Sequence, residues 1–186
     1  MKKFITFSII AGIALAFTAF TSANSSTENS SIKNEVLNGD KTIVAIAAGN
    51  ENFTTLVAAV KAAELIETLN SKGPFTVFAP VNDAFAKLPE GTVASLLKPE
   101  NKETLSSILT YHVVSGKFMA ADVVKAINAN NGEFKITTVQ GGVLTASLNG
   151  ANVILTDTKG NKSTVVIADV DASNGVIHAI DTVVMP

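Results

Sequence analysis

The amino-acid sequence predicts one α+β domain, because two kinds of hydrophobic pattern occupy different halves of the chain. Apolar residues recur at helical spacing through most of the first half, whereas they alternate with polar residues in the second half. Segregation of this kind favours an α+β architecture over regularly alternating helices and strands. Of the 186 residues, 47% are hydrophobic and 16% are charged, against roughly 25% charged in an average soluble domain. The chain can therefore build a sizeable core.

The N-terminus has the pattern of a secretory signal. Lys2 and Lys3 give it a short positive start, and residues 4–20 are apolar with scattered Thr and Ser. Small residues around Ala23 then offer a cleavage site, so residues 1–23 are predicted to be a signal peptide. The alternative is an uncleaved anchor, since the apolar stretch is nearly long enough to span a bilayer.

Cleavage near Ala23 would leave a secreted protein, periplasmic or extracellular, without a membrane span. Residues 24–39 are polar and aperiodic, and they predict a flexible leader. Residues 40–186 are predicted to form the folded domain.

Short helices are predicted through most of the first half. Each carries an apolar stripe on one face, and Gly or Pro ends several of them. A slip in the apolar phase after Val60 predicts two short helices in place of one long helix. Residues 76–79 differ, since Thr-Val-Phe-Ala is typical of a buried strand. The stripes begin at Ile43, Phe53, Leu65, Phe85, Val93 and Leu105, and residues 122–127 form the last helix.

Strands are predicted through the second half, where turn residues separate them. Gly141-Gly142 and Asn149-Gly150 have the chemistry of tight hairpin turns. The predicted strand segments are residues 134–138, 144–148, 153–155, 165–167 and 176–184.

Composition excludes several kinds of site. The chain has no Cys and only two His, so thiolate chemistry, Cys-type metal centres and a three-His zinc site are all ruled out. It also has no Arg, and its formal net charge is −2. Nucleic acid is therefore a poor match as a partner. No Gly-rich phosphate loop occurs, and no cofactor or metal is expected.

His178 and Asp181 form a His-x-x-Asp pattern that could suggest an acid–base pair. Positions 178 and 181 differ by an odd number, so on a strand the two side chains face opposite sides. We therefore predict that His178 is a buried, hydrogen-bonded ring. His112 follows Tyr111 where a helix gives way to an extended segment, and its neutral imidazole could bridge two polar groups. Both rings are expected to support structure.

Three stretches of sequence together resemble the fasciclin domain family. They are T-V-F-A-P-V-N-D-A-F at residues 76–85, L-T-Y-H-V-V-S-G-K at residues 109–117, and N-G-V-I-H-A-I-D at residues 174–181. Their order and spacing also match, and the resemblance spans about residues 40–186. Val81 stands where the family often has Thr, which removes one hydroxyl from a helix start.

The resemblance implies a fold and several residue roles. The implied fold is a wedge of two β-sheets, a kind of β-sandwich, with several short helices packed around it. The family's Tyr-His motif, here Tyr111 and His112, supports the turn of the first motif, which would place His112 near Asn82 or Asp83. In animal members an Asp-Ile pair has been tied to integrin binding. The matching positions here are Asp169 and Val170.

The resemblance also implies a function, because fasciclin domains serve adhesion and protein binding in secreted and surface proteins and no enzymatic activity is typical of them. We therefore expect a non-enzymatic adhesion module that binds protein or polysaccharide at the cell surface or in the extracellular matrix. One domain offers one binding site, so bridging two surfaces would require self-association or a second face. The alternatives are a carrier of a small ligand and, less favoured, an exported hydrolase.

Overall fold

The computed structural model describes residues 41–186. The predicted signal peptide (1–23) and leader (24–39) lie outside the described residues, and so does residue 40, where the domain is predicted to begin. Within residues 41–186 no helix has the length and apolar character needed to cross a bilayer.

Seven helices lie within the described residues, and they agree closely with the predicted stripes. The slip after Val60 does separate two helices, because Glu64 adopts a left-handed backbone conformation with φ of 57°. Single 3₁₀ turns precede the second and sixth helices. The helices are Ile43–Ala48 (α1), Thr54–Ala62 (α2), Ile66–Asn70 (α3), Asn82–Ala86 (α4), Thr92–Leu96 (α5), Lys102–Tyr111 (α6) and Ala120–Ala129 (α7).

Two helix starts show how local sequence sets these bounds. Thr42 precedes α1, and its side chain accepts a hydrogen bond from the backbone N–H of Ala45 at 3.3 Å. Val81 precedes α4 and makes no side-chain cap bond, as its replacement of the family's Thr predicts. The start of α4 therefore lacks the stabilisation that a capping hydroxyl supplies.

Seven strands lie within the described residues, and they are Phe75–Pro80 (β1), Val113–Ser115 (β2), Glu133–Thr137 (β3), Val143–Asn149 (β4), Asn152–Thr156 (β5), Lys162–Ala172 (β6) and Gly175–Ile180 (β7). They join in one continuous order, β2-β1-β7-β6-β5-β4-β3. The neighbours β1 and β7 are parallel, and every other neighbouring pair is antiparallel.

The resemblance implies two sheets, and the long strand β6 joins them into one continuous order because it takes part in both. Residues 162–164 pair with β5, whereas the strand from Val165 onwards pairs with β7. Two register shifts, either side of Ile167, separate the pairings, and such bulges bend a strand and increase its twist. A bridge between Val114 and Thr138 joins the outer strands β2 and β3. The α+β class agrees with this architecture, and the sheet is nearly a closed barrel.

The hydrophobic core has two main parts. One lies beneath α1, α2 and α6, and it includes Phe53, Leu56 and Ile177. The other lies between α7 and the β3–β5 strands, and it includes Ile127 and Leu144. All six residues of β7 are buried, because its side chains enter both parts of the core, Ile177 in the first and Ile180 in the second.

The last strand is shorter than the predicted segment 176–184. β7 ends at Ile180. The backbone N–H of Asp181 still donates to the carbonyl oxygen of Thr164 in β6, but the chain beyond Asp181 bonds to side chains. The backbone N–H of Val184 donates to the His112 ring, and that of Met185 donates to the Asp157 carboxylate. These two side chains therefore redirect the C-terminal segment.

Candidate functional site

His112 lies at the C-terminal end of α6, where only 2% of it is exposed. Its Nδ1 is 2.8 Å from the carbonyl oxygen of Ile108, and its Nε2 accepts the backbone N–H of Val184 at 3.3 Å. A carbonyl oxygen can only accept, so Nδ1 carries the proton. Burial lowers the pKa of His112 to about 4. The ring is therefore neutral at physiological pH, and both of its nitrogens are occupied.

The expected bond from His112 to Asn82 or Asp83 is wrong. Asn82 faces the start of α2, where its Oδ1 accepts the backbone N–H of Thr55 at 3.1 Å. Its Nδ2 donates to the carbonyl oxygen of Glu51 at 2.8 Å. Asp83 is exposed in the first turn of α4. The amide of Asn82 therefore holds the two helices together, and the imidazole takes other partners.

The Tyr-His motif contacts the first motif through the main chain. The backbone N–H of Phe78 in β1 donates to the carbonyl oxygen of His112 at 2.9 Å. Through this bond and its ring, His112 joins three segments that are distant in sequence: β1, α6 and the C-terminal chain.

Tyr111 is fully buried beside His112 and anchors the hairpin between β3 and β4. Its hydroxyl donates to the carbonyl oxygen of Val143 at 2.8 Å, and burial raises its pKa. Its ring lies so close to Gly142 that a Cβ there would be 2.5 Å from Cε2 of the ring. Gly142 is therefore required by close packing against the aromatic ring.

His178 occupies the middle of β7 and is also 2% exposed. Its Nε2 is 2.8 Å from the carbonyl oxygen of Phe118, so this nitrogen carries the proton. Its Nδ1 accepts the backbone N–H of Asp169 at 3.2 Å. Burial lowers the pKa of His178, and its ring stacks on Phe78 with centroids 5.7 Å apart. This ring, like that of His112, is a neutral bridge between a carbonyl and an N–H group.

Asp181 binds groups other than His178. Its Oδ1 accepts the backbone N–H of Thr164 at 2.7 Å, and its Oδ2 lies 3.3 Å from Nζ of Lys87. Burial acts to raise the pKa of Asp181, but these hydrogen bonds outweigh burial and lower it. The structure therefore does not assemble the acid–base pair that His-x-x-Asp could suggest.

Asp169 and Val170, the positions matched to the integrin motif, face different surroundings. Asp169 is exposed with a left-handed φ of 59°, and its Oδ1 accepts the backbone N–H of Ala120 at 2.7 Å. Its carboxylate thus supplies a hydrogen-bond acceptor to a backbone N–H in the first turn of α7. Val170 is partly buried and packs against the core, so it presents little side chain outward.

Sequence reasoning missed the roles of two polar side chains. Asn174 is the first residue of the third motif, and the sequence assigned it no contact, yet its Oδ1 accepts the N–H of Ile43 at 3.0 Å and its Nδ2 donates to the carbonyl oxygens of Leu69 and Ser71. Because these partners lie more than 100 residues away, no local pattern could reveal them.

Asp157 is the second such residue, and it is 6% exposed. Its carboxylate accepts hydrogen bonds from the backbone N–H groups of Lys159, Asn161 and Met185. Burial acts to raise the pKa of Asp157, but these bonds and that from the Asn161 side chain lower it. The Asp-Thr-Lys-Gly-Asn composition of residues 157–161 is typical of a turn and indicates the local bonds, but it does not indicate the bond to Met185.

Three cavities adjoin these residues. One, of about 70 Å³, lies beneath α1, α2 and α3 and has an almost wholly apolar lining. It is smaller than an engineered apolar cavity of about 150 Å³ that holds benzene. Another, of about 220 Å³, is an open cleft beside His178, lined also by Phe78, Val123 and Val166. The third, of about 450 Å³, is a more open depression beside Asn174, lined also by Lys72 and Lys117. Within residues 41–186 no group of three or more acidic or imidazole side chains could hold a metal ion.

A family model for the fasciclin domain matches residues 51–186. The chain belongs to the fasciclin domain family. This fasciclin-domain chain is similar to Protein sll1483 of Synechocystis sp., with 50% identity over 186 residues that cover 99% of this chain and 96% of that protein. It is also 39% identical over 149 residues to Immunogenic protein MPB70 of Mycobacterium bovis, covering 77% of this chain and 68% of that one.

In animal relatives the matched region is a smaller share of the whole protein. Transforming growth factor-beta-induced protein ig-h3 of Sus scrofa is 37% identical over 145 residues, which cover 78% of this chain and 19% of that protein. Among solved structures, a FAS1 domain pair from the insect cell adhesion molecule Fasciclin I matches with a TM-score of 0.70. That match has 19% identity and covers 78% of this fasciclin-domain chain and 51% of the insect chain, so it bears on the fold alone.

Proposed function

We propose that this fasciclin-domain chain is an exported, non-enzymatic interaction module that attaches to protein or polysaccharide at a cell surface or in an extracellular matrix. The observation that carries the proposal is the family match over residues 51–186. A solved relative of the same fold comes from a protein described as a cell adhesion molecule. The signal pattern of residues 1–23 supports export.

The occupancy of the two imidazoles supports a non-enzymatic role. General acid–base catalysis needs a ring nitrogen within hydrogen-bond reach of a substrate proton. In His112 and His178 both nitrogens are bound to main-chain groups, and each residue is 2% exposed. A substrate would have to displace structural bonds to reach either ring.

The carrier function is the second candidate, and the open cleft of about 220 Å³ beside His178 is the feature that favours it. Ligand pockets commonly occupy about 300–1,000 Å³ and enclose most of the ligand surface. The cleft is below that range, and the cavity of about 450 Å³ beside Asn174 lies within it but is more open to solvent than the cleft. Attachment through an outer surface therefore accounts better for the observed geometry.

The test is to immobilise the purified chain and measure its binding to envelope and matrix fractions of the cells that produce it. We expect saturable binding that is lost when the chain is denatured before coupling. Binding to neither fraction would contradict the proposal. Native mass spectrometry of the chain purified from those cells provides the second arm, because a stoichiometric small molecule would favour the carrier function.

A further inference from the structure

The outward side of the β3–β6 half of the sheet carries a group of hydroxyl side chains. Inward residues of the same strands, such as Ile136, Leu144 and Leu155, are fully or almost fully buried in the core. Because side chains alternate along a strand, their neighbours face the other side. We call this side the hydroxyl face, and its hydroxyl-bearing members are Thr137, Thr145, Ser147, Thr156 and Thr164.

Strand register aligns part of the hydroxyl face into a row across all four strands. Lys135 is opposite Thr145, Thr145 is opposite Thr156, and Thr156 is opposite Lys162. Neighbouring strands lie about 4.8 Å apart, so the two lysines at the ends of the row have Cα atoms roughly 14 Å apart. A linear ligand laid across the strands would meet an ammonium group at each end and two hydroxyls between them.

The hydroxyls of this face are free to bind an outside group. Elsewhere in the described chain, hydroxyls such as those of Thr76, Thr110 and Ser163 donate to main-chain carbonyls. The five hydroxyls of the face make no hydrogen bond within residues 41–186, and none is a buried unsatisfied atom. Their donor and acceptor capacity is therefore directed to solvent.

The charges of the face favour an anion. Lys135 and Lys162 are exposed, and the ion pairs of residues 41–186 engage other lysines. Glu133 is the one carboxylate in the row next to them, opposite Ser147. Lys159, also exposed, stands in the loop that leads into β6. The face is thus locally positive on a chain whose net charge is −2.

We propose that the hydroxyl face binds an acidic polysaccharide, with the chain of sugars lying across the four strands. Carboxylates of the polysaccharide pair with Lys135 and Lys162, and sugar hydroxyls exchange hydrogen bonds with Thr145 and Thr156. This inference rests on the proposed function and gives that function a surface and a partner class.

Side-chain composition favours a polysaccharide over a protein partner. Energetically dominant residues of protein interfaces are enriched in Trp, Tyr and Arg, and the hydroxyl face contains none of them. The larger apolar residues of its paired stretches are Val143 and Ile154, and Ile154 is half-buried. Repeated hydroxyls flanked by cations match a ligand that itself carries repeated hydroxyls and carboxylates.

The test measures binding of the purified chain to polygalacturonate, with dextran as an uncharged comparison. We expect binding to polygalacturonate that weakens with added salt, because exposed charges are screened. The double variant Lys135→Gln/Lys162→Gln should weaken binding about tenfold. The matched control is Lys72→Gln/Lys98→Gln, which changes the charge equally at two exposed lysines off this face and should leave affinity within about twofold.

A second variant tests the hydroxyls with little change in charge or shape. Thr145→Val/Thr156→Val keeps β-branched side chains suited to a strand, and it should weaken binding several-fold with an unchanged melting temperature. Equal losses in both lysine double variants, or equal binding to dextran, would overturn the inference.

The remaining outcomes separate this inference from the proposed function. If the chain binds envelope material but not polygalacturonate, the inference fails and the proposed function stands. If envelope binding survives periodate oxidation of the polysaccharide and does not respond to the lysine variants, the partner is a protein and the inference is wrong. If the chain binds neither probe, both fail.

Discussion

The Nε2 atom of His112 accepts a hydrogen bond from the backbone N–H of Val184, 72 residues further along the chain, at 3.3 Å. The same ring donates from Nδ1 to Ile108 in α6. One buried imidazole therefore fastens the C-terminal segment to a helix. His178 makes the corresponding pair of bonds between Phe118 and Asp169.

Replacing His112 with Ala should lower the free energy of unfolding by about 1–3 kcal/mol, because two buried main-chain groups lose their partner. Denaturant unfolding followed by circular dichroism would measure the change. His112→Asn is the matched variant, since its amide can still donate toward Ile108, and its loss should be smaller. An unchanged unfolding midpoint in His112→Ala would contradict the structural role.

Stability should fall as pH falls from about 6.5 to about 4. Burial lowers the pKa of His112 from 6.5 to about 4, so between these values the unfolded state binds more protons than the folded state. The contribution of the neutral His112 ring to the free energy of unfolding is complete above pH 6.5. Acidification removes it, which lowers that free energy by about 3 kcal/mol in total. The lowered pKa of His178 acts in the same direction.

Urea unfolding at pH 7, 6 and 5 would show this dependence. Asp157 and Asp181 also have lowered pKa values, but their contributions are lost only at and below the ordinary carboxylate range, about pH 4. A stability that stays constant from pH 7 to pH 5 would argue against neutral, buried imidazoles.

Gly142→Ala should destabilise the fold by about 1–3 kcal/mol through overpacking. The added Cβ would lie 2.5 Å from the Tyr111 ring, which is itself fully buried. Gly49→Ala is the control, because its nearest neighbour would be 3.5 Å away and its φ is −87°. Thermal unfolding of both variants would compare them, and equal melting temperatures would be inconsistent with the close contact.

Asp157→Asn should loosen the C-terminal segment and cost about 1–3 kcal/mol. The Asp157 carboxylate accepts hydrogen bonds at both oxygens. An Asn side chain keeps one acceptor oxygen, and its NH₂ group would face N–H donors. Hydrogen exchange at the Met185 amide should accelerate more than exchange in the β7 core. Unaltered exchange at Met185 would mean that this bond contributes little.

Asp169→Ala should cost about 1–2 kcal/mol, because the N–H of Ala120 at the start of α7 loses its acceptor and because Ala is strained at the left-handed φ of 59°. Asp169→Asn should be nearly neutral, since the amide oxygen can still accept and Asn tolerates a left-handed backbone. Chemical denaturation of the two variants would distinguish them. Similar losses in both would indicate that the negative charge, and not the acceptor oxygen, matters at this position.

Local patterns predicted much of the fold. The alternation of Leu144, Ala146 and Leu148 placed β4, and the Asn149-Gly150 turn placed the hairpin to β5. The end of β7 was misplaced, because Val183 and Val184 continue an apolar run but their main chain turns toward His112 and Asp157. An apolar pattern predicts which residues are buried, but it does not predict which groups the backbone hydrogen-bonds.

The candidate site was less predictable than the fold. The odd spacing of His178 and Asp181 correctly indicated that they do not pair, because strand alternation is a local property. The expected bond between His112 and Asn82 failed because hydrogen-bond partners depend on how α2, α4 and α6 are placed together. The same limit concealed Asn174, whose amide holds α1 and α3 against the β6–β7 turn.

The sequence by itself determined the segregation of helices from strands, the hairpin turns and the apolar faces that form the core, since each depends on residues within a few positions of one another. Tertiary structure decided which main-chain groups the imidazoles join, where β6 leaves one half of the sheet for the other, and which hydroxyls stand in a row between Lys135 and Lys162. Those features depend on register and packing between segments that are distant along the chain, and no local free-energy preference specifies them.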